Sequence, residues 1–168
     1  MASLRAQLDR VRIRSSSLED LTSILKIQNE AFPSGGWTAN DYVRLIQDSE
    51  GLFIIAELSE VMPCQMVGFA ALRRACDQAE LLSLAVAPDY RRMGIGRALL
   101  REVIFRLESL SVRTLYLEVR PSNHAALSLY HSEGFMLNSI RHDYYNHPHE
   151  DAFVLSRVIP AARNDRNS

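Results

Sequence analysis

The segment Arg91–Leu100, RRMGIGRALL, sets Gly94 and Gly96 one residue apart at the threshold of an apolar-periodic run. Upstream, AELLSLAVAP (Ala79–Pro88) reads as a strand that Pro88 and Asp89 close. Downstream, Ile95, Ala98, Leu99, Val103, Leu107 and Leu110 recur at steps of mostly three or four residues, as one face of a long helix does. A strand, a glycine turn and a helix N-terminus make an anion site. The first N–H groups of the helix have no partner, and its dipole adds positive potential. Glycine lets the backbone approach the anion without a Cβ in the way, and Arg91, Arg92 and Arg97 add charge and forked donors. Two widespread phosphate motifs do not fit. G-x-G-x-x-G needs glycine where Leu99 stands, and a P-loop needs Lys-Ser/Thr where Arg97 and Ala98 stand. A bare G-x-G fits a structural turn equally well.

Working outward, VRIRS (Val11–Ser15) alternates as a short strand, and SLED (Ser17–Asp20) is a capping-box pattern. Leu18, Leu21, Ile24 and Leu25 then mark one helical face. Its next slot is the polar Gln28, and the apolar residue falls at Ile27. That helix should end near Ala31, before a loop at Pro33, Gly35 and Gly36, and a second should cover Asn40–Gln47. LFIIAEL (Leu52–Leu58) and QMVGFAALRRA (Gln65–Ala75) read as a hairpin turning near Met62 and Pro63. After the long helix, TLYLEV (Thr114–Val119) alternates as a strand. A helix follows from about His124, capped by Ser122 or Asn123 and stopped by Gly134. FMLNSIRHDYY and DAFVLSRVI form a last pair of strands. The order is β-α-α-β-β-β-α-β-α-β-β, and its central βαβ unit implies two parallel strands with a right-handed crossover.

The chain has 168 residues, 47% hydrophobic and 23% charged, which suits one soluble globular domain. Lys+Arg 19 against Asp+Glu 20 leaves no global charge that would point to nucleic acid or a membrane surface. Cys64 and Cys76 have neither disulfide-framework nor zinc spacing, and no apolar run reaches the ~18 residues of a membrane span. The reading is a cytoplasmic domain over 11–159, with flexible ends at 1–10 and 160–168.

Arg91-x-x-Gly94-x-Gly96 after LLSLAVAPDY resembles the acetyl-CoA pyrophosphate loop of the GNAT superfamily of N-acetyltransferases. The block LYLEVRPSNHAALSLYHSEGF (Leu115–Phe135) is similar to the RimI-like branch, the protein N-terminal acetyltransferases that act on ribosomal-protein alanine; AFP (Ala31–Pro33) and YYNHPHEDA (Tyr144–Ala152) fit it too. The resemblance runs from about Val11 to Ile159. It implies an α/β GNAT fold: a mixed, mostly antiparallel sheet with splayed central parallel strands, flanked by helices. It also implies acetyl-CoA as donor, no metal, and a protein N-terminus as acceptor.

Residue by residue, the resemblance makes the backbone of Leu84, Ala85 and Val86 the partner of the pantetheine arm. A buried parallel strand explains the same run, and the two readings are compatible. It makes Arg91, Arg92, Met93, Gly94, Ile95, Gly96 and Arg97 the pyrophosphate loop, whereas Arg101 reads as a solvated charge. Asn123 is a helix cap that the family also places on acetyl-CoA. Tyr130 shares a face with Ala126 and reads as a core tyrosine; the resemblance makes it the acid that protonates the CoA thiolate. Glu118 alternates with Leu117 and Val119, so it reads as solvent-facing and paired with Arg120; the resemblance makes it the general base. An ordinary glutamate, pKa about 4.3, is a poor base for an ammonium, but a protein α-amine near about 7.7–8.0 asks less of it than a lysine near about 10.4. Phe32, Pro33, Tyr144 and Tyr145 resemble the residues lining the peptide side, where hairpin packing explains Tyr145 equally well. His142, His147 and His149 read as polar hairpin residues in preference to a metal site.

The implied reaction is direct attack of the amine on the thioester, with a backbone N–H near Val86 meeting the oxyanion. Ser34, Gly35 and Gly36 lengthen the segment between Pro33 and Trp37 relative to the branch. The alternatives are therefore a small-molecule amine acetyltransferase and a non-catalytic acyl-CoA sensor.

Overall fold

A computed structural model describes residues 10–33, 36–59 and 64–160. The elements follow the expected order. They are β1 (Val11–Ser15), a 3-10 turn (Leu18–Asp20), α1 (Leu21–Ala31), α2 (Ala39–Gln47), β2 (Gly51–Leu58), β3 (Gln65–Ala75) and β4 (Gln78–Val86). A second 3-10 turn (Pro88–Tyr90) leads to α3 (Ile95–Ser109), β5 (Thr114–Val119), α4 (His124–Ser132), β6 (Met136–Asn146) and β7 (His149–Val158). The strand expected through Pro88 stops at Val86, because Pro88 opens the second 3-10 turn. The ends, the hairpin turn at Met62 and Pro63, and Ser34 and Gly35 lie outside the described residues.

Contacts group the chain into two compact units. One holds the residues through Arg73 and Leu81–Glu102; the other holds Arg74–Glu80 and the residues from Val103 onward. In the first, the strands run β1-β2-β3-β4. β1 pairs antiparallel with β2 (Val11 opposite Leu58), and β2 with β3 (Leu52 opposite Leu72), with a bulge at Ala56/Glu57. Period-two alternation sends Phe53, Ile55, Phe69 and Ala71 to one face, where Ile24 and Ile27 of α1 and Tyr42 and Leu45 of α2 cover them. Tyr42, Phe53 and Phe69 form an aromatic triangle with centroids 5.4–5.8 Å apart. Their packing adds to what burial alone contributes.

The polar slot on α1 has a role. Gln28 is 4% exposed; its amide donates to the Trp37 carbonyl and its oxygen accepts from the Tyr42 hydroxyl. The residue that breaks the apolar pattern thus ties both ends of the α1–α2 connection to the core, as a buried amide must be satisfied. Leu18, expected on the inner face, is 47% exposed. Its turn is 3-10 and is out of phase with α1.

The capping box at Ser17 extends into an ion network. Arg14 holds Asp20 through both Nη atoms at 2.8 and 2.9 Å and Glu57 through Nε at 3.0 Å, and the Ser17 N–H donates to Asp20 at 2.8 Å. Burial pushes the Asp20 carboxyl up, but Arg14 and the Ser17 N–H more than reverse this and hold it below its ordinary value. On the other face of the sheet, Gly68 is a packing requirement. A Cβ there would sit 2.8 Å from the Ala85 carbonyl and 3.2 Å from Leu99 of α3.

In the second unit the strands run β5-β7-β6, so β7 pairs antiparallel with both neighbours. Leu115, Leu117 and Val119 alternate into a core with Val103, Leu107, Phe135, Ala152 and Leu155. Leu110, expected on the helical face, lies past the end of α3 and is 40% exposed. Asn123 caps α4 by accepting from Ala126 N–H at 3.1 Å, and Gly134 turns the chain out of it at φ +82°.

Two outcomes are expected. Gly68→Ala should cost about 1–3 kcal/mol by overpacking, lowering Tm by roughly 2–10 °C. Asp20→Asn should cost about 1–3 kcal/mol at pH 7. Because the folded carboxyl titrates below its unfolded value, that contribution is present above the ordinary carboxylate range and fades as pH falls through the folded value. Denaturant titrations of wild type and variant should therefore converge in acid.

Candidate active site

The turn after β4 is built for an anion. Arg92 at φ +64° and Gly94 at φ +85° are both left-handed, and α3 starts at Ile95. A non-glycine residue in that region costs of order 1 kcal/mol, so the surrounding loop must hold Arg92 there. Alternation of left-handed and ordinary residues turns successive N–H groups inward as a nest for negative charge. Ala98 N–H, bonded to the Gly94 carbonyl at 3.0 Å, follows the N–H groups of Ile95, Gly96 and Arg97 in the first turn of the helix. These groups and the helix dipole suit a pyrophosphate.

Arg91, expected in the pyrophosphate loop, also braces it. Its Nε donates to the Val86 carbonyl at 3.2 Å, tying the loop back to β4. The Ala87 N–H donates to Val67 of β3 at 2.9 Å. Because that N–H shares a trans peptide plane with the Val86 carbonyl, the carbonyl points away from β3. The end of β4 therefore presents polar backbone on the side that β3 does not use. Met93 and Gly96 are partly buried within the loop, and the Arg92 and Arg97 side chains are exposed.

The titratable side chains expected to do chemistry lie in the second unit. Glu118 belongs to the outward-alternating set of β5, but its side chain is only 14% exposed. Its partner is Arg141 of β6, at 2.6 Å, and not Arg120. Arg120 is held elsewhere: it donates to Glu150 at 3.1 Å and to the carbonyls of His147 and Pro148, and it stacks on Tyr145 with 3.9 Å to the ring centroid. Ser122 adds its N–H and hydroxyl to the same Glu150.

A bulge explains why Glu118 meets Arg141 and Tyr144 together. Residues three apart on a regular strand point to opposite faces. Between Arg141, opposite Ala152, and Tyr145, opposite Glu150, β6 carries two more residues than β7. Asp143 takes the strain at φ +54°, and Asp151 fixes the distortion by accepting from Asp143 N–H at 2.9 Å and bonding His142 at 3.0 Å. His149 bonds Asp143 at 2.8 Å, so both histidines serve the hairpin. With the bulge, the Tyr144 hydroxyl donates to Glu118, which with burial and the Glu118 charge pushes the phenol up to about 12. Tyr144 and Tyr145 stack edge to face at 5.0 Å.

Tyr130 is 8% exposed and packs on Phe135 at 5.6 Å. Burial, then the neighbouring Tyr145, raises its phenol well above the ordinary value, so it stays protonated throughout the physiological range. Phe32 closes α1, its N–H bonded to the Gln28 carbonyl at 2.7 Å, and it is 39% exposed beside the exposed Pro33. Arg141 and Asp151 are additions that the sequence did not single out. The signal for Arg141 was a cation three residues before Tyr144, and it becomes readable only once the bulge is known.

The profile of the acetyltransferase (GNAT) family matches residues 21–135. The [ribosomal protein bS18]-alanine N-acetyltransferase of Escherichia coli K12 is 47% identical over 97 residues, 56% of this chain and 66% of that protein; the chain thus matches just under two thirds of the length of such relatives. The N-alpha-acetyltransferase of Sulfurisphaera tokodaii is 32% identical over 157 residues, covering 88% of this chain and 93% of that protein. The crystal structure of the ribosomal-protein-S18-alanine N-acetyltransferase from E. coli superposes with a TM-score of 0.81 at 34% identity, covering 94% of this chain and 99% of that one. The fold is the GNAT fold. By the family profile across more than half its length, the chain is a member of the GNAT acetyltransferase family.

Proposed function

We propose that the chain transfers acetyl from acetyl-CoA to the N-terminal α-amine of a protein, with the N-terminal alanine of a ribosomal protein as the acceptor. The observation that carries the donor half is the pair of left-handed residues Arg92 and Gly94 directly before a helix N-terminus. Acetyl-CoA fits there through its pyrophosphate, with Arg92 and Arg97 adding charge. Its pantetheine arm runs along the backbone of Leu84, Ala85 and Val86, and Asn123 contributes beside its cap. The acceptor half rests on the acidic, aromatic group of Glu118, Tyr144 and Tyr145, with Phe32 and Pro33 as further peptide contacts. Such relatives as the E. coli enzyme supply the substrate class.

Glu118 takes a proton from the α-ammonium, which at about 7.7–8.0 is already partly neutral at pH 7. The amine attacks the thioester, a backbone N–H near Val86 meets the oxyanion, and Tyr130 protonates the departing thiolate. A ribosomal-protein acceptor supports a cytoplasmic location. Among the described residues, no helix is long and apolar enough to cross a membrane.

Two peptides test this: one with a free N-terminal alanine and no lysine, the other with a blocked N-terminus and an internal lysine. Acetyl found by mass on the first alone is the expected result. Acetyl on neither, with acetyl-CoA bound, or on the lysine alone, overturns it. Glu118→Gln and Tyr130→Phe should each lower kcat/KM by about 10²-fold or more while acetyl-CoA binding persists. In Glu118→Gln, the Tyr144 phenol should fall from about 12 toward its ordinary value, read by ultraviolet titration, because the charge that opposes its ionisation is gone.

A further inference from the structure

One residue of β7 closes the bulge in β6. Arg141 stands opposite Ala152 and Tyr145 opposite Glu150, so His142, Asp143 and Tyr144 share the single residue Asp151. Three residues have no regular ladder pairing with one, and Asp143 at φ +54° has left the extended conformation. The Asp151 carboxylate supplies what the ladder does not. One oxygen accepts from the Asp143 N–H at 2.9 Å, and the other bonds His142 Nδ1 at 3.0 Å. The Asp143 N–H, and then His142, hold the Asp151 carboxyl below its ordinary value, so it is ionised at neutral pH. Asp151 also differs from the polar side chains around it. It is 39% exposed, against 78% for His142, 65% for His149 and 77% for Asp143. His149 reaches the Asp143 side chain, at 2.8 Å, whereas Asp151 reaches the backbone. A bond to the main chain restrains its dihedral angles; a bond between side chains leaves them free.

Resting on the amine-acetylation reading, we propose that Asp151 is a positioning residue for the transfer: it holds the turn at Asp143 and so keeps the Tyr144 hydroxyl on Glu118. Tyr144 follows Asp143 directly, so the left-handed turn sets the direction in which its side chain leaves the strand. Before the bulge, Arg141 pairs with Glu118 at 2.6 Å and lies 5.5 Å from the Tyr144 ring. After it, Tyr145 lies under Arg120 at 3.9 Å. The bulge thus brings a guanidinium and a phenol from one strand onto one carboxylate. A carboxylate has about four acceptor positions. Two donors from one side orient it and leave the remaining lone pairs to the acceptor's ammonium. Without the clamp, Asp143 relaxes to the extended region that a non-glycine residue prefers, and Tyr144 turns away. Glu118 then keeps Arg141 and loses the hydroxyl that orients it. Asp151 acts through Tyr144 and not on a reacting atom.

The test uses the full chain as wild type, Asp151→Ala, Asp151→Asn, Tyr144→Phe and the Asp151→Ala, Tyr144→Phe double variant. Asparagine keeps an oxygen for the Asp143 N–H and an amide for His142; alanine keeps neither. Tyrosine ¹³Cζ shifts report each phenol, and the Tyr144 signal is the one that Tyr144→Phe removes. At a pH of about 10, where an ordinary phenol is half ionised, Tyr144 should stay protonated in wild type and Asp151→Asn. In Asp151→Ala it should be about half ionised at that pH. Activity on the alanine peptide, as kcat/KM, should fall roughly 10–100-fold in Asp151→Ala, with acetyl-CoA affinity unchanged, and return close to wild type in Asp151→Asn. In the Tyr144→Phe background Asp151→Ala should cost no further activity, because its effect passes through the missing hydroxyl. A merely structural aspartate would give additive losses. Additive losses therefore overturn the proposal, as does a Tyr144 phenol that stays protonated in Asp151→Ala, or an Asp151→Asn variant no better than Asp151→Ala. Wild type that acetylates no amine overturns the reaction assignment instead, and the Tyr144 titration then decides the clamp alone.

Discussion

The close approach of Gly68 to the Ala85 carbonyl constrains the end of β4 and the turn that follows it. A side chain of any size at position 68 would meet a backbone oxygen at 2.8 Å, and that oxygen cannot yield without moving β4. The same missing side chain makes room for Leu99 and Ile95, the first inward residues of α3. One absence of atoms therefore fixes a strand end and a helix start together. The loop between them, left-handed at Arg92 and Gly94 and tied to Val86 by Arg91, inherits its shape from both.

The surroundings of Glu118 are held by charge where the end of β4 is held by packing. Three arginines, Arg14, Arg120 and Arg141, each bridge elements distant in sequence, but their surroundings differ. Arg14 binds Asp20 and Glu57, which are nearly inaccessible, so that network is structural. Arg120 is locked by two carbonyls, a carboxylate and a ring. Arg141 pairs with one carboxylate, Glu118, and its side chain is mostly exposed.

Local patterns in the sequence carried the order of elements and most of their limits, because strand alternation, caps and glycine stops are short-range signals. The capping box at Ser17, the Asn123 cap and the Gly134 stop are all visible in three or four letters. What stayed hidden depends on partners far along the chain. Glu118 reads as an exposed strand residue beside Arg120, and only the β6–β7 hairpin brings Arg141 and Tyr144 to it. Gln28 looks like a flaw in an apolar face until Tyr42 and the Trp37 carbonyl are placed. The bond from Arg91 to the Val86 carbonyl becomes visible only once the path of the loop is known.

The bulge in β6 has a consequence for how such a protein changes over time. The left-handed turn at Asp143 inside the bulge re-aims Tyr144 toward Glu118 and leaves Tyr145 against Arg120. Deleting or inserting one residue near Asp143 would exchange the two tyrosines in a single step and leave the turn at Gly94 untouched. The surroundings of Glu118 can therefore change through small length changes in one hairpin, while the end of β4, locked by a glycine that tolerates no Cβ, stays the same.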